Sequence, residues 1–438
     1  MTTAPKTRSA QIYGYIKKLF RSLSEPLCSV SIDGDVNRHG LRLFADARAC
    51  NIIVLLAMSL LNFNARLASI IKHSLFDSSS QASRSNTGQR LVAEPWYIDH
   101  ITAAEDSKIN FSGWALPDPN VPHDNQKLRF SVNGEPPENV AYPQPRPDVQ
   151  KVFWQRAGAD QSGFSFTTKA KYPDGVMKIT CADSATTKFT RGRESWFLPD
   201  PALHQNLPDA DRRFRVIGNR DADGFLRLGA TDAYRIKAAF EAATDLRWND
   251  QTAVLDWGVG CGRVARHLAP GLGAAFFGCD IDADNVAWCN ANLPGSYVAS
   301  RLEPPLPYAD GTFDVIYGVS VFTHLRDEWE LRWLKELHRV LKPGGTMLVT
   351  VHGQTAIDFA ALDPATYKIL MDRVEAEGLV VTSVNNQLDG FVEHPEEYVN
   401  VFHSVSHVKK VWGPFFAKIE LLPGYIFTHD LVVATKAR

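Results

Sequence analysis

The sequence predicts a multidomain protein, with an α/β domain built on a mostly parallel sheet in its C-terminal half. A small all-β, sandwich-like domain precedes it, and a helical segment opens the chain. Three observations carry this reading. From residue 253 onward, short apolar runs alternate with stretches of helical period, the pattern of strands joined by crossover helices. Between residues 92 and 190 the pattern is instead short β-branched and aromatic stretches closed by Pro, Gly, Asn or Asp. Up to residue 77 the period is helical, and a Ser-rich polar stretch over 78–91 follows as a linker. A length of 438 residues, at about 150 per domain, agrees with about three folding units.

In the N-terminal segment, Ile12 to Leu23 and Leu41 to Leu75 read as helix. The apolar run Ile52 to Leu61 is bounded by Asn51, Asn62 and Asn64 and is shorter than the roughly 18 to 20 residues a membrane span needs. It is expected as a buried or dimerising helix; the alternative is membrane association of residues 49–65 as a surface helix. In the β module, strands are expected at Trp96 to Ile101, Lys108 to Trp114, Lys127 to Val132, Gly163 to Thr168 and Met177 to Cys181, with a turn at Asn133-Gly134. Residues 191–230 read as an Arg- and Pro-rich connection, and a helix is expected from Ala233 into the C-terminal domain, 231–438.

Charge and composition exclude whole classes. With 47 Lys+Arg against 49 Asp+Glu, a formal charge of −2 leaves no excess to neutralise a phosphate backbone, so no nucleic-acid partner is expected. An apolar content of 45% excludes disorder over most of the chain. The six cysteines form no C-x-x-C pair and no metal-ligand spacing such as H-E-x-x-H occurs, so reduced thiols and no metal are expected. The first eight residues lack an apolar core that would make a secretory signal, which points to the cytoplasm.

The chemistry lies in Ala253-Val-Leu-Asp-Trp-Gly-Val-Gly-Cys-Gly-Arg263, an apolar strand, an acid, and glycines at 258, 260 and 262 before a helical run. Such a turn lets a ligand approach the backbone, and the following helix offers free N–H groups. A second strand ends on Asp280, 18 positions beyond Gly262 (280 minus 262), where an acid can take a ribose diol. Further strands are expected at Ser296 to Ser300, Phe313 to Ser320 and Thr346 to Val351, with an amphipathic helix from Glu328 to Leu341. A nicotinamide-dinucleotide domain also carries glycines and an acid in this order, but its third glycine falls on Arg263 if counted from Gly258. A frame from Gly260 to Ala265 is permitted, so spacing alone leaves that competitor open; Asp256 beside the glycines would repel a pyrophosphate and suits an ammonium.

Four motifs, Val-Leu-Asp-Trp-Gly-Val-Gly-Cys-Gly-Arg, Gly-Cys-Asp-Ile-Asp, Phe-Asp-Val-Ile-Tyr-Gly-Val-Ser-Val-Phe-Thr-His-Leu and Leu-Lys-Pro-Gly-Gly, follow in order from Val254 to Gly345, within a similar stretch that covers Thr231 to Lys436. Together they resemble the class I S-adenosylmethionine-dependent methyltransferases. The resemblance implies a Rossmann-like, mostly parallel seven-stranded sheet that closes on an antiparallel pair, Lys418 to Leu422 and Thr428 to Thr435, after a short helix from Val408 to Trp412. It implies S-adenosyl-L-methionine as cofactor, with Asp256 facing the methionyl ammonium and Gly258, Gly260 and Gly262 cradling the methionyl part. Asp280 would hold the ribose hydroxyls, Ile281 the adenine face, Ser300 and Arg301 the adenine edge, and Ser320, Val321 and Phe322 the floor of the sulfonium pocket. In the β module, Gly113-Trp114-Ala115, Arg146-Pro-Asp-Val149 and Gly163-Phe164 resemble accessory modules of bacterial surface-glycan enzymes.

A hydroxyl acceptor benefits from a general base, and His324, four residues past Ser320, is the candidate, with a capping or orienting role as the alternative. His352 also lies on the ligand side. About fifty residues, Gln354 to Val405, separate the fifth strand from the last helix, and an insertion at that end covers the ligand crevice. Tyr398, Asn400, His403 and His407 are therefore the candidates for acceptor recognition. The expected activity is methyl transfer to a hydroxyl or amine of a small molecule or glycan, as in polysaccharide biosynthesis; the other class is a cofactor-binding scaffold with little turnover.

Overall fold

A computed structural model describes residues 96–104, 108–116, 128–169, 176–183, 194–197, 206–244 and 246–438. The helices expected before residue 77, the linker over 78–91 and the apolar run over 52–61 lie outside these residues. No helix among the described residues is long and apolar enough to cross a membrane.

The N-terminal part holds two antiparallel sheets. Strands β1 (Trp96–Ala104), β2 (Lys108–Ala115), β4 (Glu138–Gln144) and β5 (Gly163–Lys169) form one in the order β1-β2-β5-β4, and β3 (Leu128–Val132), β6 (Met177–Asp183) and β7 (Glu194–Phe197) form the other in the order β3-β6-β7. The alternation of apolar residues puts Ile98, Phe111, Phe164 and Phe166 of one sheet against Phe130, Val132, Met177 and Ile179 of the other in a single core. Two strands escaped the sequence reading. β4 carries Pro143 and pairs irregularly, and β7 is only four residues long, inside the stretch read as connection. Helix α1 (Pro147–Val152) follows β4, and the Arg146 guanidinium at its start bridges Asp99 and Asp148.

From residue 206 onward, the expected connection is mainly helical. Helix α2 (Ala210–Ile217) starts at Asp209, which accepts hydrogen bonds from the amides of Asp211 and Arg212, and stops at Gly218, φ +70°. Helix α3 (Ala222–Ala243) begins eleven residues before the expected Ala233 (233 minus 222), because Asp221 caps it at the amides of Asp223 and Gly224. Its buried face carries Phe225, Leu226, Ala230, Ala233, Ile236 and Phe240 at helical spacing.

The C-terminal sheet has seven strands: β8 (Val254–Trp257), β9 (Phe276–Asp280), β10 (Ser296–Ala299), β11 (Phe313–Gly318), β12 (Leu341–Val351), β15 (Lys418–Ile426) and β16 (His429–Thr435). Their order is β10-β9-β8-β11-β12-β16-β15, parallel from β10 to β12 and antiparallel through β16 and β15. This is the mostly parallel seven-stranded sheet that the motifs implied. Helices α4 (Ala265–Leu268), α5 (Ala283–Asn292) and α6 (Asp327–Val340) link the parallel strands. Chain direction across the sheet reverses between β8 and β11, the switch point beside which ligands bind in open α/β sheets.

The long insert is ordered: α7 (Gln354–Phe359), α8 (Pro364–Glu377) and an antiparallel hairpin, β13 (Leu379–Val384) with β14 (Val399–His403), before α9 (Val405–Trp412). It is also where the β module docks. Phe153 meets Phe359 edge to face (4.8 Å), Trp114 packs on the same ring, and Trp154 Nε1 donates to the Leu362 carbonyl (2.9 Å). Arg227 of α3 ties the module a second time, donating to the Ile98 carbonyl and to Tyr97 Oη.

Candidate functional site

Every cofactor-side residue singled out by sequence lies at or just beyond the C-terminal end of a parallel strand, so β8, β9, β10 and β11 bring them to one rim. β8 leads into the glycine turn, whose start is fixed by the amides of Gly258 and Val259 donating to the Cys279 carbonyl (2.8 and 3.0 Å). Gly258 has φ +85°, and a Cβ there would collide with Val321 Cγ2. Gly260 has φ +52°, and a Cβ would come within 2.7 Å of Val216 Cγ2 on α2. Helix α2 therefore covers the turn. The Arg215–Asp282 ion pair (2.7 Å), buried on both sides, locks it there, and the Arg212 carbonyl accepts from Cys261 Sγ.

Two acids define the cradle. Asp256 is buried, and Tyr317 Oη donates to its Oδ2 (2.6 Å). Burial pushes its pKa up to about 7; the Tyr317 hydrogen bond and the more distant Arg263 act against that rise, while Asp280 adds to it. Asp280 accepts from the Gly260 amide at Oδ2 (2.7 Å) and from the Asp282 amide at Oδ1 (2.8 Å), which fixes its carboxylate at the turn. Burial raises it to about 6, against those backbone bonds. Among the described residues no cationic side chain forms an ion pair with either carboxylate. A ligand ammonium at Asp256 and diol hydroxyls at Asp280 are the groups that would stabilise both carboxylates, so the residues present fit S-adenosylmethionine.

The remaining candidates divide. Ile281 is half-buried beside Asp280, the Ser300 amide donates to the Asp280 carbonyl (2.8 Å), and Arg301 is exposed. Ser320 holds a left-handed backbone, φ +62°, a strained conformation for a non-glycine residue, pinned by its amide donating to Thr350 Oγ1 (2.7 Å). Val321 reaches the glycine turn, but the Phe322 ring is fully buried between Trp257 and Trp412, on the far side from the cradle. Phe322 is thus a core side chain, whereas Ser320 and Val321 stay beside the glycine turn.

His324 is buried, and its Nδ1 lies 2.8 Å from the Val399 carbonyl. A carbonyl only accepts, so Nδ1 carries the proton and Nε2 keeps its lone pair, 3.4 Å from Ser320 Oγ. Burial lowers the ring's pKa to about 4, and it is neutral in ordinary buffers. Tyr398 stacks on this ring (centroids 4.0 Å) and feels the Asp280 charge, so the insert spans from the histidine toward the ribose-side acid. His403 and His407 are engaged elsewhere. Their Nε2 atoms lie 3.3 and 2.8 Å from the oxygens of Glu330, a carboxylate of α6 that also accepts from Trp412 Nε1 (2.7 Å). Burial opposes ionisation of Glu330, but the adjacent His403 ring and the hydrogen bond from His407 outweigh it and hold the acid at about 2. The physical reason for the correction is that the edge of β14 carrying His403, and α9 after it, face α6. Asn400 pairs with Asn385 and Ser383 within the hairpin.

Sequence reasoning passed over several residues. Tyr317 sits in an apolar run and reads as core; Arg215 and Gln387 act through long-range contacts, Gln387 Nε2 donating to the Phe214 and Arg215 carbonyls (2.9 Å each) and tying the insert to α2. His429, at the start of β16, stacks on His352 (4.9 Å, 12°), which in turn lies edge-on to His324 (6.2 Å). Among the described residues no group of three or more His, Cys, Asp or Glu is arranged to hold a metal, and Cys181, Cys261, Cys279 and Cys289 are buried.

Residues 255–349 match a family model described as a methyltransferase domain. The match runs from β8 to β12 and stops before the insert. Among curated proteins, the chain is 31% identical over 123 residues to a demethylmenaquinone methyltransferase of Chlorobaculum parvum, covering 27% of this chain and 49% of that protein. It is 28% identical over 172 residues to 27-O-demethylrifamycin SV methyltransferase of Amycolatopsis mediterranei, covering 38% and 60%. The chain thus spans about half the length of the first of these relatives. Among solved structures, 1,6-didemethyltoxoflavin-N1-methyltransferase of Burkholderia thailandensis aligns with 14% identity and a TM-score of 0.33, over 48% of this chain and 80% of that one.

Proposed function

We propose, from the methyltransferase domain at residues 255–349 and S-adenosylmethionine as its cofactor, that the chain transfers a methyl group to a hydroxyl or amine of a small molecule or glycan. The observation that carries the reading is the pair of acids, the buried Asp256 and the half-buried Asp280, set around the glycine turn without an ion-pair partner among the described residues and one strand away from the neutral imidazole of His324. When bound, S-adenosylmethionine supplies an electrophilic methyl group on a sulfonium, open to in-line displacement.

Each of the chain's groups has a part. Asp256 holds the ammonium, Asp280 the ribose hydroxyls, and the positive-φ glycines let the ligand lie on the backbone. The insert and α2 exclude water, which favours loss of positive charge at the reacting centre. His324 Nε2 accepts the proton of a hydroxyl acceptor, with Nδ1 held on the Val399 carbonyl so that the lone pair stays aimed at the Ser320 turn. A base of pKa about 4 takes that proton late, once the attacking oxygen has become acidic. A neutral amine needs no such help. The β module's likeness to glycan-enzyme modules supports a glycan acceptor, and the stacking of Tyr398 on His324 supports Tyr398 as the insert residue that meets it.

Calorimetry with S-adenosylmethionine and S-adenosylhomocysteine tests the cofactor, and a labelled-methyl screen of sugar nucleotides, lipid-linked glycans and phenols tests the acceptor. Absence of binding at millimolar ligand overturns the reading. Binding without turnover on any acceptor favours a scaffold.

A further inference from the structure

Beside His324, two more histidines at this end of the sheet, the buried His352 and the half-buried His429, have no use in the mechanism above; His403, also buried, lies against Glu330. His352 follows β12 and is 3% exposed. It bonds to the Val401 carbonyl through one ring nitrogen and leaves Nδ1 with no hydrogen-bond partner. His429, stacked on it, bonds to the Ile426 carbonyl and leaves Nε2 with none. Each ring gives its proton to a carbonyl, so both orphaned nitrogens are lone-pair acceptors. Nearby Arg263, which feels His429 electrostatically, pairs with Asp232 through Oδ2 (2.6 Å) and leaves the buried Oδ1 unpartnered as well. Unpaired buried acceptors are costly and rare, and here they gather at the same end of the sheet as the cofactor cradle.

Resting on the methyltransferase reading, we infer that His352 Nδ1 and His429 Nε2 are the acceptor-recognition pair and that they take a neutral ligand carrying two or more hydroxyl groups. Hydroxyl protons satisfy both nitrogens at once. An anionic headgroup would need the rings protonated, which burial and their mutual proximity oppose. An ammonium acceptor would also pair with the lone pairs, but the Arg263 guanidinium beside His429 disfavours a cation there. The ligand class is thus a polyol, a sugar or a catechol-like diol, with His324 Nε2 left to receive the proton of the hydroxyl that is methylated.

The test uses the full chain with 15N-labelled histidine, saturated with S-adenosylhomocysteine. Its ring signals are followed while methyl α-glucoside, glycerol, catechol, glucose 6-phosphate and ethanolamine are added separately, each up to its solubility limit. A shift of the His352 and His429 signals by at least one neutral diol, with none from the phosphate ester or the amine, is expected. The variants His352→Phe and His429→Phe, which keep an aromatic ring, should each weaken that diol's binding about tenfold, the worth of one buried hydrogen bond, while homocysteine-ligand affinity changes less than about twofold. Response to the phosphate or amine alone, or to no probe, overturns the inference. Failure of S-adenosylhomocysteine to bind the unmodified chain overturns the methyltransferase reading instead. Equal loss of both affinities in the variants assigns the pair a structural role and also overturns the inference.

Discussion

Residues 254–318 build their half of the site from backbone, whereas residues 354–405 build theirs from side chains that borrow partners across the chain. In the first half, Gly258 and Gly260 are placed by positive φ, and Asp280 is held by the Gly260 amide of the glycine turn and the Asp282 amide of its own turn. In the second, Val399 and Tyr398 matter only because His324 lies against them, and Gln387 only because α2 does. A backbone-built site tolerates almost no change at its turns and carries a local signature. A site built from distant contacts bends more easily and leaves little local trace. The difference can be broken or sharpened by substitution.

The largest effect is expected at the glycine turn. Gly258→Val adds β-branched bulk against Val321 at a φ that L residues rarely adopt, and cofactor affinity should fall on the order of a hundredfold or more, read by calorimetry. Retained affinity would mean that the turn is softer than its geometry. On the insert-facing side, His324→Phe keeps the stacking on Tyr398 but removes Nε2. With a hydroxyl acceptor, single-turnover methyl transfer should slow about a hundredfold, with cofactor affinity unchanged. An equal loss in cofactor affinity would reduce the histidine to an orienting role.

Smaller effects come from supports. Tyr317→Phe removes the donor to Asp256, so the acid's pKa should climb further and cofactor affinity near neutral pH should drop about fivefold to tenfold, less at alkaline pH where the carboxylate is already ionised. Gln387→Ala cuts the tie between the insert and α2. The expected change is about threefold or less in affinity with faster release of S-adenosylhomocysteine, measurable by stopped flow.

What the sequence disclosed follows the same division. Strands β8, β9 and β11 were legible because they are apolar runs that close on an acid or lead into glycine, and β12 because its apolar run follows Pro343-Gly-Gly345; the roles proposed for Asp256 and Asp280 depend on position along their own strands. Helix α2 was missed although Asp209 and Gly218 cap it, because its Arg-rich face reads as connection until Arg215 meets Asp282. The β13–β14 hairpin carries β-branched runs, Leu379-Val-Val-Thr-Ser-Val384 and Val399-Asn-Val-Phe-His403, a signal that was present and overlooked. His403 and His407 could not be separated from His352 and His429 by spacing, since Glu330, the group that claims the first two, is more than seventy residues away in sequence (403 minus 330 and 407 minus 330). Phe322 failed similarly. Its neighbour Val321 faces the turn and Phe322 the core, a distinction that rests on the short turn after β11.

The most direct test of the cofactor site is calorimetry of S-adenosylmethionine binding as a function of pH, repeated in buffers of different ionisation heat. Asp256, raised to about 7 in the free protein, must be a carboxylate to hold an ammonium, so binding near neutral pH should release a proton. Affinity should be highest above that pKa and fall toward a tenfold loss per pH unit below it, and Asp256→Asn should bind weakly with that dependence gone. Binding that is absent, or that shows no proton release and no fall in affinity through that range, would contradict the assignment of Asp256 as the partner of the cofactor's ammonium.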